Sequence, residues 1–240
     1  MPLLSTTTFT LATYAKGDEN AEKLALVLPG RLDTKDYLHM RSHVDFLATK
    51  GYFALSFDPP GTWESPGGIG LYTMTNYLKA INELIEHFGN RPTLLMGHSR
   101  GGSIGMLVGS TNPHVTGFIS VFSHASPSKP EGPASSLRDI PGHPGQKRQF
   151  NLPNSFFIDS ASHDIMGPLK TCTKPKLFFL GTQDIMVPPE KVQKAYDDAA
   201  EPKQLETLDS GHDYRNRPEI IEEVNRKVGE WMEKTKKHPT

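Results

Sequence analysis

The sequence predicts an α/β fold with a mostly parallel sheet and helices on both of its faces. Short apolar segments of strand length alternate along the chain with amphipathic segments of helix length, a pattern typical of parallel sheets. One apolar segment, Thr93 to Met96, leads directly into Gly97-His98-Ser99-Arg100-Gly101 and a glycine-rich stretch of helix length. A strand, a sharp turn and a helix in this order indicate a serine that projects from the carboxyl edge of the sheet.

The chain before the first helix is expected to contribute two strands. Thr7 to Tyr14 alternates and is rich in threonine and aromatic residues, which predicts an edge strand. The apolar run from Leu24 to Leu28 predicts a second strand, and the short turn between the two favours antiparallel pairing. Apolar residues at helical spacing then predict a helix over Asp36 to Lys50, which Gly51 ends.

The elements around the serine follow from equally local patterns. Tyr52 to Phe57 is apolar and predicts a strand. Thr73 to Phe88 carries the clearest amphipathic pattern, with Thr73 able to cap its start and Gly89 its end. Beyond the central strand and helix we predict strands over Thr116 to Phe122, Pro175 to Gly181 and Gln204 to Leu208, and helices from Pro188 and over Pro218 to Met232.

The regular alternation stops between His124 and Lys174. Proline, glycine and serine are dense there, and segments of this length inside a compact domain are usually functional or carry small elements of their own. Short helices are expected within Pro153 to Leu169. We therefore expect residues 1–240 to form one domain in which 124–174 is a cap over the site, a floppy surface excursion being the alternative.

Composition excludes several classes of protein. Lys and Arg total 26 against 27 Asp and Glu, so the charge balance favours neither nucleic acid nor an anionic membrane as partner. The single cysteine, Cys172, excludes an internal disulfide and is interpreted as a structural thiol of a reducing compartment. The first residues lack the pattern of a signal peptide and no apolar run has the length of a membrane span, so a cytoplasmic location is expected.

A nucleophilic serine needs a histidine base oriented by a carboxylate. Of the 10 histidines, His212 is favoured because it follows the last predicted strand and so lies at the same sheet edge as Ser99. His98 is expected to pack beneath the turn, while His124 and His163 are candidates to face the cleft from the cap. The others are interpreted as surface or packing residues: His39, His43, His87, His114, His143 and His238.

Asp184 is the favoured acid, because it follows the strand that precedes the one leading to His212. The order Ser99, Asp184, His212 is the order of roles in folds that spread them over successive strand ends. The competing acids are Asp159, Asp164, Asp209 and Asp213, of which the last two flank the histidine and could hardly curl back onto it. For any single aspartate in a loop, Asp184 included, the alternative interpretation is local turn formation. We predict a catalytic triad of Ser99, His212 and Asp184.

An oxyanion hole requires two N–H donors. The first is the N–H of Arg100, at the start of the helix after the serine. The second is expected in the loop after Leu28, where Gly30 lets the backbone come close; the N–H of Arg31 is favoured and that of Leu32 is the alternative.

Taken together, these residues resemble the α/β-hydrolase family over nearly the whole chain. Gly97 to Gly101 resembles its nucleophile turn, and Leu28-Pro29-Gly30-Arg31 its His-Gly oxyanion loop with proline in place of histidine. Asp58 to Ser65 resembles its Asp-x-x-Gly-x-Gly-x-Ser turn, with Trp63 where glycine is usual, which places an aromatic ring near the site entrance. The resemblance implies a twisted sheet whose first strands are antiparallel, an inserted cap, and no metal or organic cofactor.

The function expected is hydrolysis of small-molecule carboxylic esters through an acyl-enzyme. A thioesterase, a peptidase-like hydrolase and a ligand-binding receptor that keeps the fold remain alternatives. Candidate pocket residues are Gly30, Leu32, Trp63, His98, His124 and His163. Six cationic side chains are expected near the entrance: Arg31, Arg100, Lys129, Arg138, Lys147 and Arg148. They would favour an anionic substrate; the simpler interpretation is that they are solvated surface charges.

Overall fold

The computed structural model describes residues 2–126 and 132–237 of the chain. Its strands are β1 (Leu3–Ser5), β2 (Thr10–Lys16), β3 (Leu24–Leu28), β4 (Phe53–Phe57), β5 (Thr93–His98), β6 (Val115–Val121), β7 (Ala134–Asp139), β8 (Lys147–Leu152), β9 (Lys176–Gly181) and β10 (Lys203–Leu208). Its helices are α1 (Leu38–Thr49), α2 (Met74–His87), α3 (Arg100–Thr111), α4 (Asn154–Ala161), α5 (Met166–Thr171), α6 (Pro189–Asp198) and α7 (Pro218–Lys237).

Eight strands form one sheet in the order β1-β2-β4-β3-β5-β6-β9-β10. In the part of this sheet that runs β4-β3-β5-β6-β9-β10, all neighbouring strands are parallel. β2 is antiparallel to both β1 and β4. The α/β fold with a mostly parallel sheet is therefore confirmed. Because parallel strands end at the same edge, β5, β9 and β10 deliver the residues that follow them to one side of the molecule.

Two details of the expected sheet are wrong. β2 is not an edge strand, because the short β1 pairs outside it. β2 also does not pair with β3, which follows it along the chain; β4 lies between them and makes the antiparallel contact instead. β3 is buried along its whole length, and a parallel neighbour on each side leaves it no free edge.

The sheet divides the hydrophobic core into two layers. Along β3, Leu24, Leu26 and Leu28 pack with α2, α3 and α6, whereas Ala25 and Val27 pack with α1 and α7. This alternation is the period of two that a strand imposes on its side chains. Helices on both faces thus follow from the apolar residues that each strand directs to either side.

Helix α2 begins and ends as its sequence predicts. The Thr73 hydroxyl accepts a hydrogen bond from the Asn76 N–H at 3.1 Å, which caps the start of the helix. After the last turn Gly89 has a φ of 76°. This left-handed conformation favours glycine and lets the chain leave the helix.

Residues 124–174 contain more regular structure than expected. The short helices predicted within Pro153 to Leu169 are present as α4 and α5, but the antiparallel hairpin of β7 and β8 was missed. Its strands are mostly polar and largely exposed, so they lack the apolar runs that mark a buried strand. Lys129, one of the candidate cations, lies outside the described residues.

The end of this segment is fixed to the sheet by a buried lysine. The Nζ of Lys176 donates to the carbonyl oxygens of Cys172 and Ala200, at 2.8 Å each, and of Pro202 at 3.3 Å. Burial lowers the pKa of this lysine. Cys172 itself is a buried free thiol, and among the described residues no helix is long and apolar enough to cross a bilayer.

Candidate active site

Ser99 lies at the turn between β5 and α3 in a backbone conformation that serine rarely adopts. Its φ is 51° and its ψ is −121°, so the neighbouring chain must hold it there. A Cβ at Gly97 would come within 2.3 Å of the Gly101 backbone, and a Cβ at Gly101 within 2.1 Å of the Leu28 carbonyl oxygen. Both glycines are therefore required for the turn to close against the helix and β3.

The structure brings Ser99, His212 and Asp184 into one hydrogen-bonded row. The Nε2 of His212 is 2.8 Å from the Ser99 Oγ, and its Nδ1 is 2.8 Å from the Asp184 Oδ2. The carboxylate can only accept from Nδ1–H, which leaves Nε2 as the acceptor for the serine hydroxyl. This tautomer is the one in which histidine can take a proton from serine.

Asp184 is held by the backbone of its own loop. Its other oxygen, Oδ1, accepts the N–H groups of Met186 at 2.9 Å and Val187 at 2.8 Å. Its side chain is buried, so these bonds fix which oxygen faces His212.

The competing acids have other partners. Asp159 accepts from the start of α2, Asp164 from the Gly167 N–H, Asp209 from Thr182 and Gln183, and Asp213 pairs with Arg215. The bonds of Asp164 and Asp213 are local, as in a turn-forming aspartate, whereas those of Asp159 and Asp209 join segments that are distant in the sequence.

A positive charge on His212 is disfavoured in this setting. Burial lowers its pKa below the ordinary 6.5, and the neighbouring His98 lowers it further, while Asp184 partly offsets both. The imidazole therefore stays neutral, and able to accept a proton, to a lower pH than an exposed histidine.

Behind His212 lies a buried polar network that the sequence did not indicate. The Nε2 of His98 donates to the His212 carbonyl oxygen at 3.1 Å, and its Nδ1 is 3.4 Å from the Asp33 Oδ2. The Asp33 Oδ1 accepts from Arg215 at 3.1 Å. Burial disfavours the Asp33 carboxylate, yet the bond from His98 and the charge of Arg215 hold its pKa below the usual range. The network ties the backbone of the histidine loop to the loop after β3.

Three side chains of this region are close enough together to be considered as ligands of a metal ion. Ligand atoms of Asp33, His39 and His98 lie within 4.8 Å of one another. Both ring nitrogens of His39 are buried without a hydrogen-bond partner, and burial holds its pKa well below 6.5. The Arg215 guanidinium already binds this carboxylate and would repel a cation. The residues therefore fit a packed polar network better than a metal centre.

The loop after β3 lies against the start of α3. A Cβ at Gly30 would come within 2.7 Å of Asp33 and 3.2 Å of His98, so the backbone approaches closely there. The Leu32 N–H donates to the Tyr72 hydroxyl at 3.1 Å, so Leu32 is wrong as the alternative oxyanion donor. Among the described residues, the N–H groups of Arg31 and Arg100 have no acceptor.

Trp63 packs near this loop rather than standing free at an entrance. Its Nε1 donates to the Leu32 carbonyl oxygen at 3.1 Å, and its φ is 47°, a conformation that suits the glycine usual in the resembling motif. Trp63 also lines a surface cavity of about 440 Å³, together with Ile140, His143 and Arg148. Another surface cavity, of about 540 Å³, lies along α6.

The histidines proposed to line a pocket have other environments. His98 is buried behind His212, as its expected position beneath the turn requires. The His163 Nε2 is 3.0 Å from the Thr75 hydroxyl at the start of α2. His124 is partly buried after β6, where its Nδ1 accepts the Ser126 N–H and its carbonyl oxygen accepts from Ser103.

Residues 132–174 are attached to the loops around Ser99 at several points. Arg138 on β7 donates to the Arg31 carbonyl oxygen at 3.0 Å, and Arg148 on β8 to the Trp63 carbonyl oxygen at 2.8 Å. Asp159 on α4 accepts the Met74 N–H at 2.6 Å, which places a carboxylate at the start of α2. Phe150, Leu152, Phe156, Phe157, Ile165 and Leu169 join the same hydrophobic cluster as the sheet.

Comparisons with known proteins agree on the fold. The model of the family described as alpha/beta hydrolase fold matches residues 26–152. Est1E from Butyrivibrio proteoclasticus, with ferulic acid bound, is 21% identical with a TM-score of 0.81, over 99% of this chain and 100% of that one. The Pyrococcus furiosus esterase Pf2001 is 20% identical with a TM-score of 0.73, over 97% and 91%.

A Paleococcus ferrophilus monoacylglycerol lipase is 19% identical with a TM-score of 0.72, over 96% of this chain and 98% of the lipase. The search of curated proteins found no match. At these identities the solved structures establish a shared architecture rather than a shared substrate.

Proposed function

Because this chain belongs to the α/β-hydrolase family, we propose that it is a serine hydrolase that cleaves carboxylic esters of small molecules through an acyl-enzyme. The observation that carries the proposal is the pair of 2.8 Å contacts that joins Ser99 to His212 and His212 to Asp184. In this proposal Ser99 is the nucleophile, His212 the general base and Asp184 the group that orients the base.

The proposed chemistry begins with attack of the Ser99 Oγ on the ester carbonyl. The Oγ–H proton passes to the His212 Nε2, and the imidazolium that forms is stabilised by Asp184. His212 then gives the proton to the leaving alkoxide, and the C–O bond of the ester breaks. Water attacks the acyl-serine by the same route and releases the acid, so that serine and imidazole return to their starting state.

The developing oxyanion is proposed to accept from the N–H groups of Arg31 and Arg100. Both lack acceptors among the described residues, and Gly30 and Gly101 allow the two loops to approach closely. Removing a single donor of this kind typically costs about 10²–10³ in kcat.

Residues 132–174 are proposed to act as a cap that limits access to Ser99. The support is their attachment to the Arg31 and Trp63 loops, and the contact between Phe156 and the residue that follows the serine. That one of the similar structures reported above is called an esterase and another a monoacylglycerol lipase supports an ester as the substrate class.

A fluorophosphonate probe and short p-nitrophenyl esters test the proposal. The wild-type protein is expected to be labelled and to turn over esters, and Ser99→Ala to lose both. Ser110→Ala is a matched control, because Ser110 lies on the same helix and its hydroxyl has no partner among the described residues.

Thioesters and peptide p-nitroanilides, assayed in parallel, distinguish the thioesterase and peptidase alternatives by their relative kcat/KM. A folded wild-type protein that is not labelled and cleaves none of these would refute the enzyme proposal. It would leave the receptor-like alternative.

A further inference from the structure

Arg100 is half-buried, and two nitrogens of its guanidinium group are buried without an acceptor among the described residues. Arg100 follows Ser99 directly and is the first residue of α3. Its Nε and Nη2 atoms are buried, and neither has a hydrogen-bond partner among the described residues. No carboxylate of those residues lies within 4.0 Å of the guanidinium. Buried guanidinium groups normally pair with a carboxylate or phosphate, so the Nε and Nη2 atoms of Arg100 lack the acceptors that such groups usually have.

Two aromatic rings pack against the guanidinium of Arg100, but they provide no acceptor for its unpaired N–H groups. Its central carbon is 4.4 Å from the centre of the Phe156 ring on α4 and 5.7 Å from that of Tyr72. The two rings are themselves stacked at 5.3 Å. Stacking stabilises the cation through the ring faces, whereas the N–H groups in the guanidinium plane still need acceptors.

The surroundings make an anion the fitting partner. Burial lowers the pKa of Arg100, and Tyr72, Tyr77 and Asp159 offset only part of this effect. The hydroxyl of Tyr72 is already engaged as the acceptor of the Leu32 N–H. An incoming carboxylate would supply both the charge and the paired acceptor oxygens that the planar fork of an arginine matches.

The position of Arg100 in the chain relates its unpaired N–H groups to the proposed reaction. The backbone N–H of Arg100 is one of the two proposed oxyanion donors, and Tyr72 holds the loop that contains the other. The guanidinium therefore belongs to a residue of the proposed oxyanion hole and packs against Phe156, on a helix of the proposed cap.

We propose that Arg100 binds a carboxylate on the substrate, so that the preferred substrates are esters that carry a second, anionic group close to the scissile bond. This rests on the proposed function, because it assigns the substrate class of the same site. It also selects, from the cations considered in the sequence, the one with two buried nitrogens that have no partner among the described residues.

The test compares matched anionic and neutral esters. One arm places the carboxylate on the acyl side, in p-nitrophenyl hydrogen succinate, glutarate and adipate, each against its methyl-capped diester. The other places it on the alcohol side, in 3- and 4-acetoxybenzoate against their methyl esters. We expect the wild-type kcat/KM to favour the anionic member in at least one arm by tenfold or more, chiefly through KM.

Arg100→Gln is expected to lower kcat/KM for the anionic ester at least tenfold more than for its neutral partner, which abolishes the preference, and Arg100→Lys to retain part of it. Arg226→Gln is the matched control, since Arg226 is exposed on α7 and pairs with Glu230. Because the Nε and Nη2 atoms of Arg100 are buried, the preference should persist in high salt, unlike one caused by surface charge.

A wild-type enzyme that shows no preference in either arm, or an Arg100→Gln variant that keeps the preference, would overturn the inference. Competitive inhibition of the wild-type protein by free glutarate but not by the neutral glutaramide is expected, and equal inhibition would count against the inference even if the variants fail to fold. Turnover of neutral esters without anionic preference refutes only this inference. Absence of labelling and of all turnover refutes the proposed function.

Discussion

Asp184→Asn should nearly abolish catalysis while the fold survives, because the two oxygens of this carboxylate accept hydrogen bonds from different parts of the structure. On one side Oδ1 accepts two backbone N–H groups, those of Met186 and Val187. On the other, Oδ2 accepts from the His212 Nδ1 at 2.8 Å. Asparagine has one acceptor oxygen and one NH₂ group, so it can satisfy only one side as the aspartate does.

The relative energies decide how the amide orients. An NH₂ facing the backbone would leave two N–H donors buried and unsatisfied, at about 1–3 kcal/mol each. An oxygen facing the backbone keeps both bonds and instead presents NH₂ to the His212 Nδ1. The imidazole then adopts the tautomer with a proton on Nε2, which donates to Ser99 and cannot accept its proton.

A wrong tautomer of this kind lowers kcat by about 10⁴, or roughly 5 kcal/mol of transition-state stabilisation. The measurement is kcat on a p-nitrophenyl ester, with urea unfolding to show that stability changes little. Asp209→Asn is the matched control, because Asp209 follows the next strand and bonds only to Thr182 and Gln183. An Asp184→Asn enzyme that keeps a tenth of wild-type kcat would refute this reasoning.

Three further outcomes are expected. Gly109→Ala should lower the free energy of unfolding by about 1–2 kcal/mol in urea denaturation, because a Cβ 2.3 Å from an aromatic carbon on β6 outweighs the gain in helix propensity. Gly105→Ala, whose nearest contact is 3.4 Å away, should raise it by about 0.5–1 kcal/mol, and the same sign for both would contradict the packing argument. In a pH profile, the acid limb of kcat/KM should lie below pH 6.5, because only neutral His212 accepts a proton and its pKa is lowered. His98→Gln should move that limb to higher pH, because it removes a neighbour that lowers the pKa of His212. An unchanged limb would exclude an effect of the His98 charge on His212. Lys176→Met should lower the free energy of unfolding by about 2–4 kcal/mol in thermal or urea denaturation, because it leaves the carbonyl oxygens of Cys172 and Ala200 without a donor. Wild-type stability would show that water replaces the lysine.

Local patterns predicted most of the elements. The bounds expected for β3, α2 and β9 agree with the structure to within about a residue, because burial on both faces or on one helical face leaves a direct trace in the sequence. The residues proposed as the triad were selected on the same basis, from strand ends that a parallel sheet collects at one edge. Their roles stay predictions, although the structure brings the three side chains together.

Features that depend on distant contacts left no such trace. The contacts of His98 with Asp33 and His212 span 65 and 114 residues, and that of Arg215 with Asp33 spans 182. Nothing near Asp33 in the sequence distinguishes it from a turn-forming aspartate. The β7–β8 hairpin was missed for a related reason, since it packs through few apolar residues and exposes the rest.

The order of strands in the sheet has a consequence for how the protein is made. Ser99 leaves the ribosome 113 residues before His212. At about 5–20 residues per second, roughly 6 to 23 seconds separate the synthesis of the two. During that interval the six strands from β1 to β6 can pair in their final order, because β9 and β10 add afterwards at one edge. The nascent chain thus carries its serine turn without the histidine proposed to activate it, and hydrolysis would begin only when the last strand docks.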